Sequence, residues 1–316
     1  MSWIKKGNIF KLENTDIPWA KSHACVPTAH LIDTERIRIY YAPRNKKGQS
    51  VPTYFDVEAS NPNNILYVHK KPIMSLGELG TFDDGGIMPC CTVQVGTLIY
   101  LYYVGWNPSV SVDYRNSIGL AVSKDGGETF ERMFQGAIVD RNRDEPFFTA
   151  SPYVMREQEN LWHMWYASST GFINVGEKVE PLYVIKYASS TNGIDWKRDN
   201  ITCIHPLHKE ESNARCTVFK DENERYKMWF CYRDSRDFRD GKGSYRLGYA
   251  ESEDAVHWER KDQDVGISPS QAGWDSRMQT YPDTILAQGK RYLFYNGNGF
   301  GATGIGYAVW KDELSV

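Results

Sequence analysis

Four stretches of the chain repeat one pattern of apolar, small and polar positions. Each begins as a strand in which apolar and small residues alternate, and the complete copies continue through a tight polar turn into a short second strand. Such a pattern predicts a β-hairpin. The aromatic residues Phe130, Trp196 and Trp258 are predicted to pack between neighbouring sheets, and the polar residues Arg132, Lys197 and Glu259 to face water. The copies are residues 118–132, 185–198, 247–260 and a truncated one at 305–310.

Two further strand patterns precede these hairpins along the chain. Apolar inner strands are predicted at residues 26–32, 90–95, 151–155, 216–219 and 283–286. Aromatic-rich strands are predicted at residues 39–42, 101–106, 163–167, 228–233 and 293–296. Five of each, at a period of roughly 60 residues, predict an all-β, five-bladed β-propeller with four-stranded blades, forming a single domain over residues 1–316.

The two ends of the sequence complement each other. Residues 3–10 match the outer strand of the repeat, as in Trp196-Lys197-Arg198, but lack the three strands that should precede it. The last module lacks an outer strand. We therefore expect the N-terminal strand to join the last blade and close the ring, which removes exposed sheet edges.

Composition narrows the possible partners. The formal net charge is −3 and the isoelectric point is near 6.2, so no general attraction to nucleic acid or to an anionic membrane is expected. The N-terminal residues lack the apolar core of a secretion signal, which favours a cytoplasmic location. The six cysteines lie mostly in apolar strand patterns and are expected to be reduced. We predict no metal or other cofactor, and the oligomeric state stays open.

Carboxylates precede several of the predicted inner strands. They occur in residues 82–86, 144–149, 210–215 and 274–283. Because inner strands line the channel of a propeller, these side chains are predicted to meet at one mouth of the ring. The residues of interest there are Asp83, Asp84, Asp144, Glu145, Glu211 and Asp283.

The chain resembles the five-bladed glycosidase superfamily that includes the arabinanase and xylosidase, invertase and levanase, and mannoside phosphorylase families. The resemblance rests on blade number and on the repeated Tyr-Ala-x-Ser-x-(Asp/Asn)-Gly-x-x-Trp pattern. It implies that Glu211 is the acid, Asp84 the base or nucleophile, and Asp144 or Glu145 an orienting group. The chain departs from these families in its first blade, where Ser22-His23-Ala24-Cys25 replaces their first Asp.

A structural role is the alternative for each of these carboxylates. Asp83 and Asp84 precede two glycines and would then shape a turn. Glu211 would form a salt bridge with Arg215, and residues 144–146 would form a solvated turn.

Arginine is dense in the loops predicted to surround the mouth. If Arg115, Arg215 and Arg277 converge there, they form a fork for a carboxylate or phosphate, which favours an anionic or phosphorylated sugar. Aromatic and amide side chains would contact the sugar, although such aromatics are more often part of a core. The predicted substrate-binding residues are His23, Asp83, Trp106, Asn107, Arg115, Arg215, Tyr232, Arg233, Arg277, Tyr281, Asp283 and Asn298.

Three functions are compatible with these observations. The first is a glycoside hydrolase-like enzyme that cleaves or transfers a glycosidic bond, with carbohydrate as its partner. The second is a non-catalytic carbohydrate-binding or assembly module, suggested by the missing first-blade Asp. The third is a sugar-transfer or sugar-modifying enzyme of surface polysaccharide synthesis.

Overall fold

The computed structural model describes residues 2–239 and 241–311, and their strands form five four-stranded antiparallel sheets. Blade 1 contains β2 (Ser22–Leu31), β3 (Arg36–Arg44), β4 (Thr53–Glu58) and β5 (Ile65–Val68). Blade 2 contains β6 (Gly86–Val95), β7 (Leu98–Pro108), β8 (Tyr114–Ser123) and β9 (Glu131–Arg132). Blade 3 contains β10 (Thr149–Gln158), β11 (Leu161–Val175), β12 (Lys178–Ser190) and β13 (Lys197–Ile204).

Blades 4 and 5 complete the ring. Blade 4 contains β14 (Glu211–Lys220), β15 (Tyr226–Asp234), β16 (Arg246–Ser252) and β17 (Glu259–Arg260). Blade 5 contains β18 (Thr280–Ala287), β19 (Lys290–Asn296), β20 (Ile305–Lys311) and the N-terminal strand β1 (Ser2–Phe10). The first strand of each blade contacts those of both neighbouring blades around the central axis. These sheets confirm the predicted five-bladed β-propeller.

The N-terminal strand closes the ring, as the sequence predicts. β1 lies antiparallel to β20, with Trp3 opposite Trp310 and Phe10 opposite Ile305. Blade 5 therefore combines three C-terminal strands with one N-terminal strand.

Helical structure is confined to single turns. Short 3-10 segments lie at Leu12–Asn14 and Asp262–Asp264, and one helical turn lies at Asn298–Gly301. Within the described residues, no helix has the length and apolar character needed to cross a membrane.

Aromatic side chains of the repeat pack between blades, as predicted. Each outer-strand aromatic contacts an aromatic on the second strand of the preceding blade. The ring-centroid distances are 5.5 Å for Phe130 and Tyr40, 6.2 Å for Trp196 and Tyr102, 5.9 Å for Trp258 and Trp165, and 5.3 Å for Trp3 and Trp229. Such edge-to-face contacts add stabilisation beyond their buried area.

Hydrogen bonds also join the turn of each repeat to the preceding blade. The Tyr40 hydroxyl donates to the Gly127 carbonyl at 2.9 Å, and the Tyr102 hydroxyl donates to the Gly193 carbonyl at 2.8 Å. Trp165 Nε1 donates to the Ala255 carbonyl at 2.9 Å. The repeated hairpin is therefore the unit that connects one blade to the next.

Candidate ligand-binding cavity

A cavity of about 370 Å³ lies at the mouth where the five inner strands begin. All five first strands contribute to its lining, as the sequence predicts for a shared mouth. Their contributions are Cys25 and Val26, Met88 and Cys90, Ala150 and Ser151, Ala214, and Tyr281. The volume is at the small end of the range for ligand pockets.

Irregular backbone shapes this lining. Each inner strand breaks its register with the second strand close to the cavity. Val26, Ser151 and Tyr281 have φ values of 59°, 48° and 56°. The left-handed region is strained for non-glycine residues, most of all for a β-branched one such as Val26. The bulges re-aim the side chains at the point where the strands reach the cavity.

Arg215 closes the central channel beneath the cavity. Its side chain is fully buried and donates to the carbonyls of Pro27 and Pro89, at 2.9 and 3.4 Å, and Pro282, at 3.3 Å. Its Nη2 lies 3.4 Å from Asp283 Oδ1. Burial raises the pKa of Asp283 to about 6, against the opposing effect of Arg215. Arg215 and Asp283 thus form a structural floor.

Arg233 forms part of the cavity wall and is 2% exposed. Its Nη2 donates to the Pro181 carbonyl at 2.9 Å, whereas its Nε has no hydrogen-bond partner. The guanidinium carbon lies 3.5 Å from the Phe238 ring centroid and 5.1 Å from that of Tyr183. Among the described residues, no carboxylate forms an ion pair with it.

Tyrosine hydroxyls surround this arginine. Tyr183 and Tyr245 hydrogen-bond to each other through their hydroxyls, and Tyr114 and Tyr281 also line the cavity. Burial raises the pKa of all four, to about 12 for Tyr114. The tyrosines therefore stay protonated at neutral pH and can donate hydrogen bonds to a ligand.

The rim of the cavity carries two further arginines. Arg239 donates to Glu180 Oε1 from Nη2 at 2.8 Å and from Nε at 3.0 Å. Glu180 lies on β12, and the β11–β12 hairpin is longer than the corresponding hairpins of the other blades. Arg44, at the end of β3, is exposed and lines the cavity.

The predicted carboxylates Asp83, Glu145 and Glu211 do not line this cavity. Each is buried beside a basic residue on the outer strand of its own blade. Asp83 pairs with Arg132, Glu145 with Arg198 and Glu211 with Arg260, and Asp275 pairs in the same way with Lys5 of β1. We call this repeated arrangement the blade clamp.

A second-strand tyrosine completes the clamp in three blades. The hydroxyls of Tyr103, Tyr166 and Tyr295 donate to Asp83, Glu145 and Asp275 at 3.0, 2.8 and 3.0 Å. In blade 2, Gly119 of the third strand leaves room for this ring, since a Cβ there would lie 2.2 Å from Tyr103 Cζ. In blade 4 the ring is that of Phe230, 5.2 Å from the guanidinium carbon of Arg260.

The clamp corrects two expectations drawn from the sequence. Arg132 does not face water, because its side chain is 11% exposed and its Nε lies 2.8 Å from Asp83 Oδ2. Glu211 forms its ion pair with Arg260, whereas the alternative expectation was a pair with Arg215. This geometry favours a structural role for Asp83, Glu145 and Glu211, and the catalytic role of Glu145 and Glu211 stays a prediction.

Asp84 and Asp144 also lie outside the cavity lining. Asp84 Oδ2 accepts a hydrogen bond from the Gly80 amide at 2.8 Å, so that it shapes the turn before β6. Asp144 is exposed and lies 3.4 Å from Arg143. Their catalytic roles stay predictions.

The predicted substrate-binding residues divide into three groups. Trp106, Arg233 and Tyr281 line the cavity, and Trp106 Nε1 donates to Ser50 Oγ at 2.7 Å. Arg215 and Asp283 form the floor beneath it. The remaining predicted residues, absent from the lining, are His23, Asp83, Asn107, Arg115, Tyr232, Arg277 and Asn298.

The predicted fork of three arginines is not formed. Arg215 is enclosed by backbone carbonyls, and Arg115 and Arg277 are exposed residues outside the cavity lining. Asn298 binds backbone instead of facing the cavity: its Oδ1 accepts from the Arg277 amide at 2.8 Å. Tyr232 stacks on Arg260, 4.9 Å from the guanidinium carbon.

Sequence reasoning missed much of the true lining. Asn116, Tyr183 and Tyr245 lie two residues before Ile118, Ile185 and Leu247 of the repeated run, so the repeat register locates all three. The cavity residues absent from the predicted site include Arg44, Tyr114, Phe148, Phe238, Arg239 and Phe300.

Neither metal ligation nor thiol chemistry is favoured here. In residues 2–239 and 241–311, no three His, Cys, Asp or Glu side chains are grouped to hold a metal ion. Burial raises the pKa of the Cys25 and Cys90 thiols to about 12 and 11, which disfavours the reactive thiolate.

Solved structures share this fold at low sequence identity. One, described as a glycoside hydrolase, has a TM-score of 0.70 at 17% identity, over 96% of this protein and 95% of the other. Another, an α-L-arabinofuranosidase from Podospora anserina in complex with cellotriose, has a TM-score of 0.65 at 10% identity, over 98% and 97% of the two proteins. These likenesses establish the fold shared with five-bladed glycoside hydrolases.

The chain also has relatives that match it along their whole length. No protein-family model matches it. Two Mycobacterium tuberculosis proteins from different strains, Uncharacterized protein MT1551 and Uncharacterized protein Rv1502, are each 34% identical over 314 residues, which span 99% of this chain and 100% of theirs. The chain therefore belongs to the same family as these mycobacterial proteins, built on the five-bladed β-propeller fold of glycoside hydrolases.

Proposed function

We propose that the protein is a glycoside hydrolase-like enzyme that binds an anionic sugar in the central cavity. The fold supports the general activity, because the solved structures that share it include glycoside hydrolases. Fold alone does not specify a reaction, so the chemistry of the cavity carries the argument.

The observation that carries the anionic specificity is the environment of Arg233. A buried charge is strongly disfavoured unless it is paired, and stacking on aromatic rings offsets only part of that cost. Arg233 is buried, lines the cavity and forms no ion pair with a carboxylate among the described residues, and Glu180, which is paired with Arg239, acts on it only at longer range. A carboxylate or phosphate on the ligand would supply the missing charge.

The rest of the lining suits a sugar ring. Trp106 presents an aromatic surface that Ser50 holds in place, and pyranose faces stack on such surfaces. Asn116 and the tyrosine hydroxyls offer partners for sugar hydroxyls.

Cleavage in this cavity requires a proton donor. The usual pair of carboxylates does not line the cavity, and the glycosidases that use a tyrosine in place of one of them use it as the nucleophile. Burial holds the pKa of Tyr183 and Tyr245 above the usual range, so both retain their protons. Glu180 brings a carboxylate to the rim through its bond with Arg239. Because a hydroxyl with a raised pKa is a weak general acid, we assign the tyrosines to hydrogen bonding with the sugar.

A second candidate function is carbohydrate binding without turnover. It is favoured by one observation: no Asp or Glu of the described residues lines the cavity. In this second function the protein binds the same anionic ligand as in the first, but it does not cleave it.

Matched neutral and acidic sugars test the proposal. Isothermal titration with glucose, glucuronic acid and glucose 1-phosphate should show at least about tenfold tighter binding of the acidic members, the effect of one charged hydrogen bond. Arg233→Gln should remove this preference, whereas the control Arg115→Gln, at an exposed arginine outside the lining, should retain it.

Turnover separates the two candidates. Release of the leaving group from glycosides of the bound acidic sugar supports the enzyme, and binding without release supports the second candidate. Equal affinity for neutral and acidic sugars, or unchanged selectivity in Arg233→Gln, would contradict the anionic specificity.

A further inference from the structure

We infer that the ligand carries two separate anionic groups, one bound by Arg233 in the cavity wall and the other by Arg44 at the opposite rim. This inference rests on the proposed binding of an anionic sugar and specifies its chemical class.

The two guanidinium groups approach the cavity from different sides. Arg233 lies on β15 in blade 4, and Arg44 lies at the end of β3 in blade 1. Around the ring, blade 5 separates these blades on one side, and blades 2 and 3 separate them on the other. One small anion therefore cannot be the shared partner of both in the way that a fork of adjacent arginines would bind it.

Arg44 has no protein acceptor for its guanidinium among the described residues. Arg239 differs from Arg44 in this respect. It also lines the cavity, but Glu180 Oε1 lies 2.8 Å from its Nη2 and neutralises its charge. Of the three arginines in the lining, Arg44 and Arg233 are thus the two whose charges a ligand would complete.

Arg44 is also the charged residue of the cavity lining at its rim. His23 lies close by, and burial together with the charge of Arg44 lowers the pKa of this imidazole to about 4. His23 is therefore neutral at neutral pH and adds no positive charge. An anion at this rim would depend on Arg44.

The lining between the two arginines is uncharged. It offers Ser50, Trp106 and Asn116 on one side and aromatic residues on the other. A polyhydroxylated ring with a negative group at each end matches this distribution. The class is an acidic sugar that also carries a phosphate, or a sugar bisphosphate.

Paired ligands that differ by one anionic group test the inference. Glucuronic acid 1-phosphate should bind the wild-type protein at least about tenfold more tightly than glucuronic acid or glucose 1-phosphate, and glucose 1,6-bisphosphate should exceed glucose 1-phosphate similarly. Arg44→Gln should remove this added affinity, so that ligands with one and with two anionic groups bind the variant with similar affinity. Arg115→Gln should behave as wild type, and circular dichroism should show both variants folded.

The outcomes distinguish this inference from the proposed function. If ligands with one anionic group bind as tightly as those with two, or if Arg44→Gln retains the preference for two groups, the second anionic site is overturned while anionic sugar binding stands. If no anionic sugar binds more tightly than glucose, both proposals are overturned.

Discussion

The blade clamps and the cavity wall use the same side chain in opposite ways. In the clamps, Arg198 and Arg260 are mostly buried and each faces a buried glutamate of its own blade. In the cavity wall, Arg233 is buried deeper and has no such partner among the described residues.

This contrast separates stability from recognition. A charge that is neutralised within the fold holds strands together and leaves little to offer a ligand. A charge that the fold leaves unneutralised lowers stability and attracts a counter-charge from outside. The pairing of an arginine is therefore more informative about function than its presence.

The largest expected effect comes from removing one clamp carboxylate. Glu211→Gln removes one of the two carboxylate partners of Arg260, in a site where the Glu211 and Arg260 side chains are at most 11% exposed, and leaves Asp262 as the other. We expect a loss of about 2 kcal/mol in the free energy of unfolding, the effect of one buried hydrogen bond between charged groups, measured by urea denaturation. Arg233→Gln removes an unpaired charge and should change the unfolding free energy by less than about 1 kcal/mol.

The same pair of variants tests the catalytic prediction for Glu211. A folded Glu211→Gln protein with wild-type stability and no turnover would support catalysis and contradict the clamp. A large loss of stability in Arg233→Gln would show that Arg233 also stabilises the fold. That result would contradict the contrast between the cavity wall and the clamps.

A smaller effect should follow from deleting single tyrosine hydroxyls. Tyr103→Phe removes a donor to Asp83 and should cost about 1 kcal/mol of unfolding free energy. Tyr41 is the matched control, because its hydroxyl is buried without a partner. Tyr41→Phe should be neutral or stabilising in the same denaturation experiment, and equal losses in both variants would contradict the clamp.

The smallest expected effect concerns pH. Glu157 lies between blades 3 and 4, where it accepts hydrogen bonds from Lys220 at 2.8 Å and from Tyr226. Burial tends to raise its pKa, but hydrogen bonds from Lys220, Tyr226 and His163 outweigh burial and lower it to about 2, from 4.5. Its contribution is therefore present above pH 4.5 and lost as the pH falls towards 2.

Glu157→Gln should consequently be less stable than wild type at pH 7 by up to about 1 kcal/mol. The difference should narrow as the pH is lowered from 5, as measured by denaturation at each pH. A difference that stays constant over this range would show that Glu157 acts through packing alone.

The fold could be predicted because its signals are local and repeated. The hairpin run, the inner-strand pattern and the aromatic strand each recur, and the outer-strand match at Trp3 predicts ring closure. The prediction for Arg132 is wrong because Arg132 stands two residues after its aromatic, in register with Arg198 and Arg260, whereas Lys197 and Glu259 directly follow theirs.

The site could be predicted only in part. Of the predicted binding residues, Trp106, Arg233 and Tyr281 line the cavity, and their contact with a substrate stays a prediction. The partner of Glu211 is 49 residues away on another strand, and its position depends on the register of the blade. One signal was available: Asp83, Glu145, Glu211 and Asp275 recur blade after blade. Residues that recur in each blade stabilise that blade. Residues that bind an asymmetric ligand, such as Arg233, do not follow the repeated pattern.

Arg215 determines how a ligand can enter and leave the central cavity. Because its buried side chain spans the channel to carbonyls of three other blades, Arg215 blocks the channel beneath the cavity in the described part of the chain. A long saccharide cannot thread through the protein. Only the end of such a chain can reach Arg233, and a bound ligand must leave through the same opening by which it entered.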